Sequence, residues 1–124
     1  MALLTEAGHA GEGISSQGNG NISFDEITVL SGQDLQPMTV VGKVTASGKY
    51  VILAPAAVDG SQVAAGFIFD RVDATGGDKI ATLIARLCEI TEGEVVWPAG
   101  ITGPQKATAT AQLAALFLII RASD

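Results

Sequence analysis

The sequence predicts a mainly β domain with one short C-terminal helix, preceded by a flexible glycine-rich arm. Three observations carry that prediction. From Phe24 to Pro98 the chain is a series of short β-branched runs separated by turns that contain glycine or proline. Thr102-Gly-Pro-Gln105, followed by alanines, has the form of a capped helix start. Residues 1–23 carry Gly8, Gly11, Gly13, Gly18 and Gly20 among Ser, Asn and Gln, with no aromatic residue and no hydrophobic period.

Such an arm cannot bury enough apolar area to offset the entropy of ordering its backbone, so it is expected to be disordered alone. Yet apolar residues are spaced along it and at its junction with the domain. Leu3, Leu4, Ile14, Ile22 and Phe24 are therefore candidate binding contacts. The domain is expected to occupy residues 24–124. Its first strand is Glu26–Leu30, ended by Ser31-Gly32. Met38–Val44 and Lys49–Ala54 form a hairpin across a four-residue loop, whose Gly48 can take positive φ. Pro55–Gly60 is a turn, and Gln62–Asp73 a strand with a bend or bulge at Gly66. Asp73–Asp78 is a loop.

Ile80–Ile90 is ambiguous. Ile80, Leu83, Ile84, Leu87 and Cys88 have helical spacing, while a period of two makes both faces mostly apolar, as in a strand covered on both sides. Glu94–Trp97 reads as a short strand stopped by Pro98. A helix of about three turns then starts at Thr102 and is rich in alanine, which lets it lie close against a sheet or a neighbouring subunit. Leu116–Ile120 is a terminal buried strand.

Composition bounds the function. The net charge is −6, which disfavours a phosphate backbone as partner. Apolar residues make up 48% of the chain but aromatics only 5%, so the core is small and aliphatic and gains from burial against further copies. One cysteine and one histidine exclude a disulfide framework and a four-ligand zinc site. Residues 1–23 contain no Lys or Arg and no long apolar core of a secretory signal, and Leu113–Ile120 is too short to span a bilayer. A soluble protein made in a reducing cytoplasm is expected.

No catalytic constellation emerges. Gly11 and Gly13 lack the strand and helix that a dinucleotide loop requires, and Gly76-Gly77-Asp78-Lys79 lacks the spacing of a phosphate-binding loop. Asp70, Asp73 and Asp78 are spaced wrongly for a calcium loop. His9 has no nucleophile held beside it, and Cys88 reads as a small buried apolar residue. No metal, cofactor or catalytic residue is therefore expected. Trp97-Pro98 suits either core filling or an interface.

In order along the chain, Gly42-Lys43-Val44, Gly48-Lys49-Tyr50-Val51, Pro55-Ala56-Ala57-Val58-Asp59-Gly60-Ser61, Ala64-Ala65-Gly66 and Val95-Val96-Trp97-Pro98 resemble the head decoration proteins of tailed phages, lambda D type. The resemblance covers about residues 25–124; the arm shows no residue-level match. It implies a β-clip-like bent two-stranded ribbon with little helix, and makes Ile80–Ile90 a strand. It further implies homotrimers on the outside of the expanded head, clamping neighbouring major capsid protein subunits. The arm would add a strand to an exposed edge of the shell, and Trp97 and Pro98 would sit at a trimer or capsid interface. The expected function is a non-enzymatic cement protein of the virion, with no nucleic-acid or membrane partner. The alternative is a small carbohydrate-type ligand-binding β module, for which six aromatic residues supply little stacking surface.

Overall fold

The computed structural model describes residues 13–17 and 22–122. Ten strands run in chain order as β1 (Ile14–Gln17), β2 (Phe24–Val29), β3 (Asp34–Leu35), β4 (Val40–Lys43), β5 (Tyr50–Ile52), β6 (Ala64–Ile68), β7 (Val72–Asp73), β8 (Lys79–Ile84), β9 (Cys88–Thr91) and β10 (Leu118–Arg121). A single 3-10 turn covers Glu92–Glu94, and helix α1 covers Gly103–Ala114. Strands β2-β5-β4-β6-β8 close into a barrel, β1-β9-β10 form a second sheet, and β3-β7 make a short ribbon. The β4–β5 hairpin is two of the strands of the closed barrel, and the open two-stranded ribbon is β3-β7.

Alternation along the barrel strands builds two cores. Ile27, Val29, Val41, Ile68 and Leu83 point to one side, joined by Tyr50 and Ile52, so all five barrel strands contribute to this interior cluster. Leu35, Val72 and Ala74, from the β3-β7 ribbon and the residue after it, belong to the same cluster. Val40, Phe67 and Ile84 point the other way and pack with Cys88 and Ile90 of β9, Ala109 and Leu113 of α1, and Leu118 of β10. Strands β4 and β6 are thus buried on both faces, as is the end of β8 at Leu83 and Ile84, while Lys79, Ile80 and Thr82 of β8 are exposed.

Two glycines allow the close approaches that closure needs. Gly66 has φ +154°, and the β4–β6 register slips between Val41 and Gly42, leaving the bulge expected there. At Gly42, any Cβ would run into the Ser61 backbone, within 2.8 Å of its Cα.

Several sequence expectations are resolved. Ile80–Ile90 is extended, in two pieces: β8 belongs to the barrel and β9 to the second sheet, with the chain turning at Ala85–Leu87. Gln62–Asp73 is also two strands, β6 and β7. Glu94–Trp97 is not a strand. Its first residue ends the 3-10 turn, and pairing is limited to one bridge, Val96 to Thr39, because β4 already has β5 and β6 on its two edges. The helix begins as expected: the Thr102 hydroxyl accepts from the Gln105 N–H at 3.2 Å, and the Gln105 Oε1 accepts from the Thr102 N–H at 3.0 Å. Part of the expected arm is ordered on the domain, since β1 pairs antiparallel with β9 and Ile14 packs against the core. Leu3 and Leu4 lie outside the described residues.

Three exposed aspartates organise turns. The Asp59 carboxylate accepts from the Ser61 hydroxyl at 2.5 Å and its N–H at 3.0 Å; Asp73 does the same with Thr75, at 2.6 and 3.1 Å. Asp78 takes the Lys49 ammonium at 2.6 Å and the Ser31 N–H at 2.8 Å. These donors hold all three carboxyls below their ordinary value of 3.8. In the unfolded chain the carboxyls take up protons first, so their contribution is complete above pH 3.8 and is lost as the pH falls through the lowered folded values. The thermal midpoint is therefore expected to hold from neutrality toward the carboxylate range and then fall, with a shallower acid limb in Asp78→Asn. Gly42→Ala should destabilise the fold by about 1–3 kcal/mol in denaturant unfolding, because the Ser61 backbone must move.

Candidate functional site

Residues of the expected arm are joined to the domain through the sheet β1-β9-β10, and each end of that sheet carries a distinct cluster. β1 pairs Ile14 with Ile90 and Gln17 with Cys88, so its N-terminal end lies by Thr91 and its C-terminal end by Leu87.

At the first end the Gly13 carbonyl accepts from the Thr91 N–H at 2.9 Å. A Cβ on Gly13 would come within 2.8 Å of Met38 Cγ and 3.0 Å of Glu94 Cβ, so glycine lets the chain enter tightly beside the 3-10 turn. Trp97 is half-buried at the same end. Its ring packs on the second core, with the Lys106 ammonium 5.9 Å above the ring. A hollow of about 540 Å³ lies there, lined by Glu92, Trp97, Lys106, Thr110 and Ile120 among others. Pro98 follows in a turn, its carbonyl accepting from the Ile101 N–H at 3.3 Å.

At the opposite end four apolar side chains are exposed together: Ile22 at 51%, Leu87 at 40%, Leu116 at 36% and Phe117 at 65%. Backbone bonds establish their proximity. The Leu87 N–H donates to the Leu116 carbonyl at 3.4 Å, and the Cys88 N–H to the Phe117 carbonyl at 3.2 Å. The Ser23 hydroxyl donates to the Leu87 carbonyl at 3.1 Å, and Arg86 Nη1 to the Ile22 carbonyl at 2.8 Å.

Two of these residues hold backbone conformations that L residues avoid. Leu87 has φ +54° and Phe117 φ +61°. The third such residue among those described, Met38 at φ +69°, is almost fully buried, so core packing compensates its strain. Phe117 has no such compensation. Helix α1 ends without the glycine that usually takes the reversal, so the left-handed residue is Phe117, whose N–H donates to the Ala114 carbonyl at 2.9 Å. This end of the sheet thus brings four exposed apolar residues near one another, two of them with positive φ.

The structure therefore separates the residues singled out in the sequence. Ile14 and Trp97 gather at one end of the sheet, and Ile22 lies at the other. Phe24 is at neither: it is half-buried, edge-to-face with Phe69 at 5.4 Å between ring centres and 64° between planes. Leu87, Leu116 and Phe117 were missed, because Leu116–Ile120 read as a buried strand and Leu87 as part of an apolar run. The available signal was the absence of glycine or asparagine between the helix and β10.

Among the described residues no group of three His, Cys, Asp or Glu could hold a metal. Burial pushes the Cys88 thiol up, away from the reactive thiolate. A cleft of about 430 Å³ lies between Phe24, Asp25, Glu26, Phe69 and Thr82 and holds two of the aromatic rings. Its rings meet edge-to-face rather than forming a flat platform, and the Asp25 carboxylate is engaged by Arg86 Nη2 at 2.5 Å.

Phe117→Gly removes the exposed ring and the left-handed penalty together. The variant is expected to be more stable by about 1 kcal/mol in denaturant unfolding. A loss of stability instead would show that the ring is needed for packing within the chain.

No individual curated protein matches this chain. The family model for bacteriophage lambda head decoration protein D matches residues 3–118, a span that includes β1, β9, the barrel strands and the helix and reaches the first residue of β10. The chain belongs to this head decoration family, a structural family of the phage capsid and not a family of enzymes.

Proposed function

We propose that this protein is a cement protein that binds the outside of the expanded phage head as a homotrimer and stabilises the shell against the pressure of packaged DNA. The observation that carries the reading, beyond family membership, is the exposed cluster of Ile22, Leu87, Leu116 and Phe117 with strain at two of its members. A surface of that kind gains when water leaves it, at roughly 25 cal/mol for each Å² of apolar area covered. In this reading the cluster is covered by a neighbouring subunit.

The arm supplies the second contact. Residues 1–12 precede a strand held in register on β9, whose entry at Gly13 lies beside Met38 and Glu94. Leu3 and Leu4 reach the shell from there and add a strand to an exposed edge of the major capsid protein, recovering backbone hydrogen bonds with little demand on side chains. Ile22 and Pro98 contribute from the domain surface. Each arm alone binds modestly because it must be ordered, and three arms on one trimer raise the effective concentration of the second and third contacts.

Charge supports an outer position, away from the genome. The chain carries 7 Lys and Arg against 13 Asp and Glu. Lys49, Arg71, Arg86 and Arg121 are each paired with a carboxylate, and Lys106 faces Trp97. Little positive surface remains to neutralise phosphates.

Co-sedimentation with expanded, undecorated heads tests the reading. The full chain is expected to bind saturably, in a fixed ratio to shell subunits. Deleting residues 2–12, which leaves β1 and Ile14 in place, should weaken binding by roughly tenfold or more with little change in thermal midpoint. Unchanged occupancy of the deleted form would overturn the arm mechanism, and failure of the full chain to bind would overturn the cement reading.

A further inference from the structure

The strand seams of the barrel are unequal, and the one between β2 and β5 differs from the rest in kind. It is parallel, while β2–β8, β8–β6, β6–β4 and β4–β5 are antiparallel. Along it Val29 meets Tyr50 and the pairing stops, whereas β2 matches β8 from Phe24–Ile84 to Val29–Lys79. Strand β5 is three residues long, and alone among the barrel strands it has no fully buried residue.

Side chains complete what the backbone leaves open. The Leu30 N–H donates to the Tyr50 carbonyl at 3.0 Å, and the chain then turns away at Ser31-Gly32. The Ile52 N–H, on the same edge of β5 as that carbonyl, donates to Gln33 Oε1 at 3.0 Å. Gln33 works from a fixed post: its carbonyl accepts from the Ala74 N–H at 2.7 Å, and the Gly32 N–H donates to the Ala74 carbonyl at 2.8 Å. Asp78, just before β8, makes the second tie. Its carboxylate takes the Lys49 ammonium at the start of β5 at 2.6 Å and the Ser31 N–H at the end of β2 at 2.8 Å.

We infer that the β2–β5 seam is a latch, at which the barrel opens as one unit to a curled sheet in the order β5-β4-β6-β8-β2 and then recloses. Gln33 and the Lys49–Asp78 pair are its two fasteners. A parallel pair is the weaker kind, and an opening confined to half-buried residues costs less than unfolding the domain. Tyr50 and Ile52 only border the interior core, so their departure leaves Val41, Ile68 and Leu83 packed together. On the opposite face, Val40, Phe67 and Ile84 keep their contacts with β9, β10 and α1. The domain can therefore yield at this seam while the sheet that receives β1 keeps its arrangement.

The inference is independent of shell binding and is tested on the free full chain by native-state amide hydrogen exchange, followed by NMR. Leu30 and Ile52 report the seam, because both N–H groups are bonded across it. Leu53 and Ile68, bonded to the Val40 and Thr39 carbonyls at 3.0 Å, report the rest of the barrel. Leu30 and Ile52 are expected to share one opening equilibrium and to exchange faster than Leu53 and Ile68. Gln33→Ala removes the acceptor of Ile52 and is therefore read at Leu30, which it does not touch. Lys49→Ala removes the tie to Asp78 and is read at both amides. Exchange at these positions should accelerate by about two- to tenfold, with Leu53 and Ile68 unchanged. Different opening equilibria for Leu30 and Ile52 in the unsubstituted chain would overturn the latch, as would a Leu30 rate that neither variant moves. Equal acceleration of all four amides would also overturn it, since the seam would then open only with the whole domain. If Gln33→Ala fails to fold, Lys49→Ala, in an exposed turn, carries the same readout.

Discussion

Burial of β4, β6 and the end of β8 on both faces is the constraint on which the rest of this structure depends. Neighbouring residues on these strands serve different cores: Val40 and Val41, Phe67 and Ile68, Leu83 and Ile84. A shift of one residue in any of these strands would exchange the two sets, so the register is held from both sides. Closure of the barrel brings Gly42 against the Ser61 backbone and Gly66 against the Ile84 carbonyl. The bulge between β4 and β6 lets the wall bend there without losing its alternation.

The same constraint accounts for the exposed cluster. The chain leaves the barrel at the end of β8 and must enter the second sheet as β9 within three residues, and it does so through Leu87 in a left-handed conformation. Helix α1 returns the chain to β10 through an equally short turn, with Phe117 in the same conformation. β10 pairs parallel with β9, starting from Leu118 opposite Cys88, so the two reversals end side by side. Strain that glycine would have relieved is retained at two apolar residues facing outward. That combination gives the fold little and is consistent with a surface that functions when covered.

Both ends of the described chain therefore meet on β9: β1 on one edge and β10 on the other. A strand that receives the N-terminal segment and packs through its partner onto helix α1 is well placed to couple an arm to a rigid body. The barrel behind it supplies that rigidity, with no buried side-chain polar atom left unpaired among the described residues. In the cement reading, force borne by the arms would pass through β1 into β9, and from there into the core shared with the barrel.

Local chemistry made much of this legible in advance. The Thr102–Gln105 capping box, the Gly48 turn and the Gly66 bulge were each readable because the determining contacts lie within a few residues or require a residue with special backbone freedom. The helical spacing of Ile80 to Cys88 is a misleading signal, since Ile80 is exposed and only Leu83 and Ile84 of β8 are buried before the chain turns into β9, so residues from two strands lie at helical intervals by coincidence. Glu94–Trp97 looked like a strand by composition, but both edges of β4 were already taken, and no local pattern reports that. The positions of Leu87 and Phe117 were equally hidden, because their exposure arises where two distant turns come together. The β-rich class, the helix and its cap, and the turns are written in local sequence, because short-range sterics and hydrogen bonding decide them. Barrel closure, the division of the apolar residues between two cores and the gathering of the exposed cluster arise in the folded chain alone, because they depend on strand pairings between residues far apart in sequence.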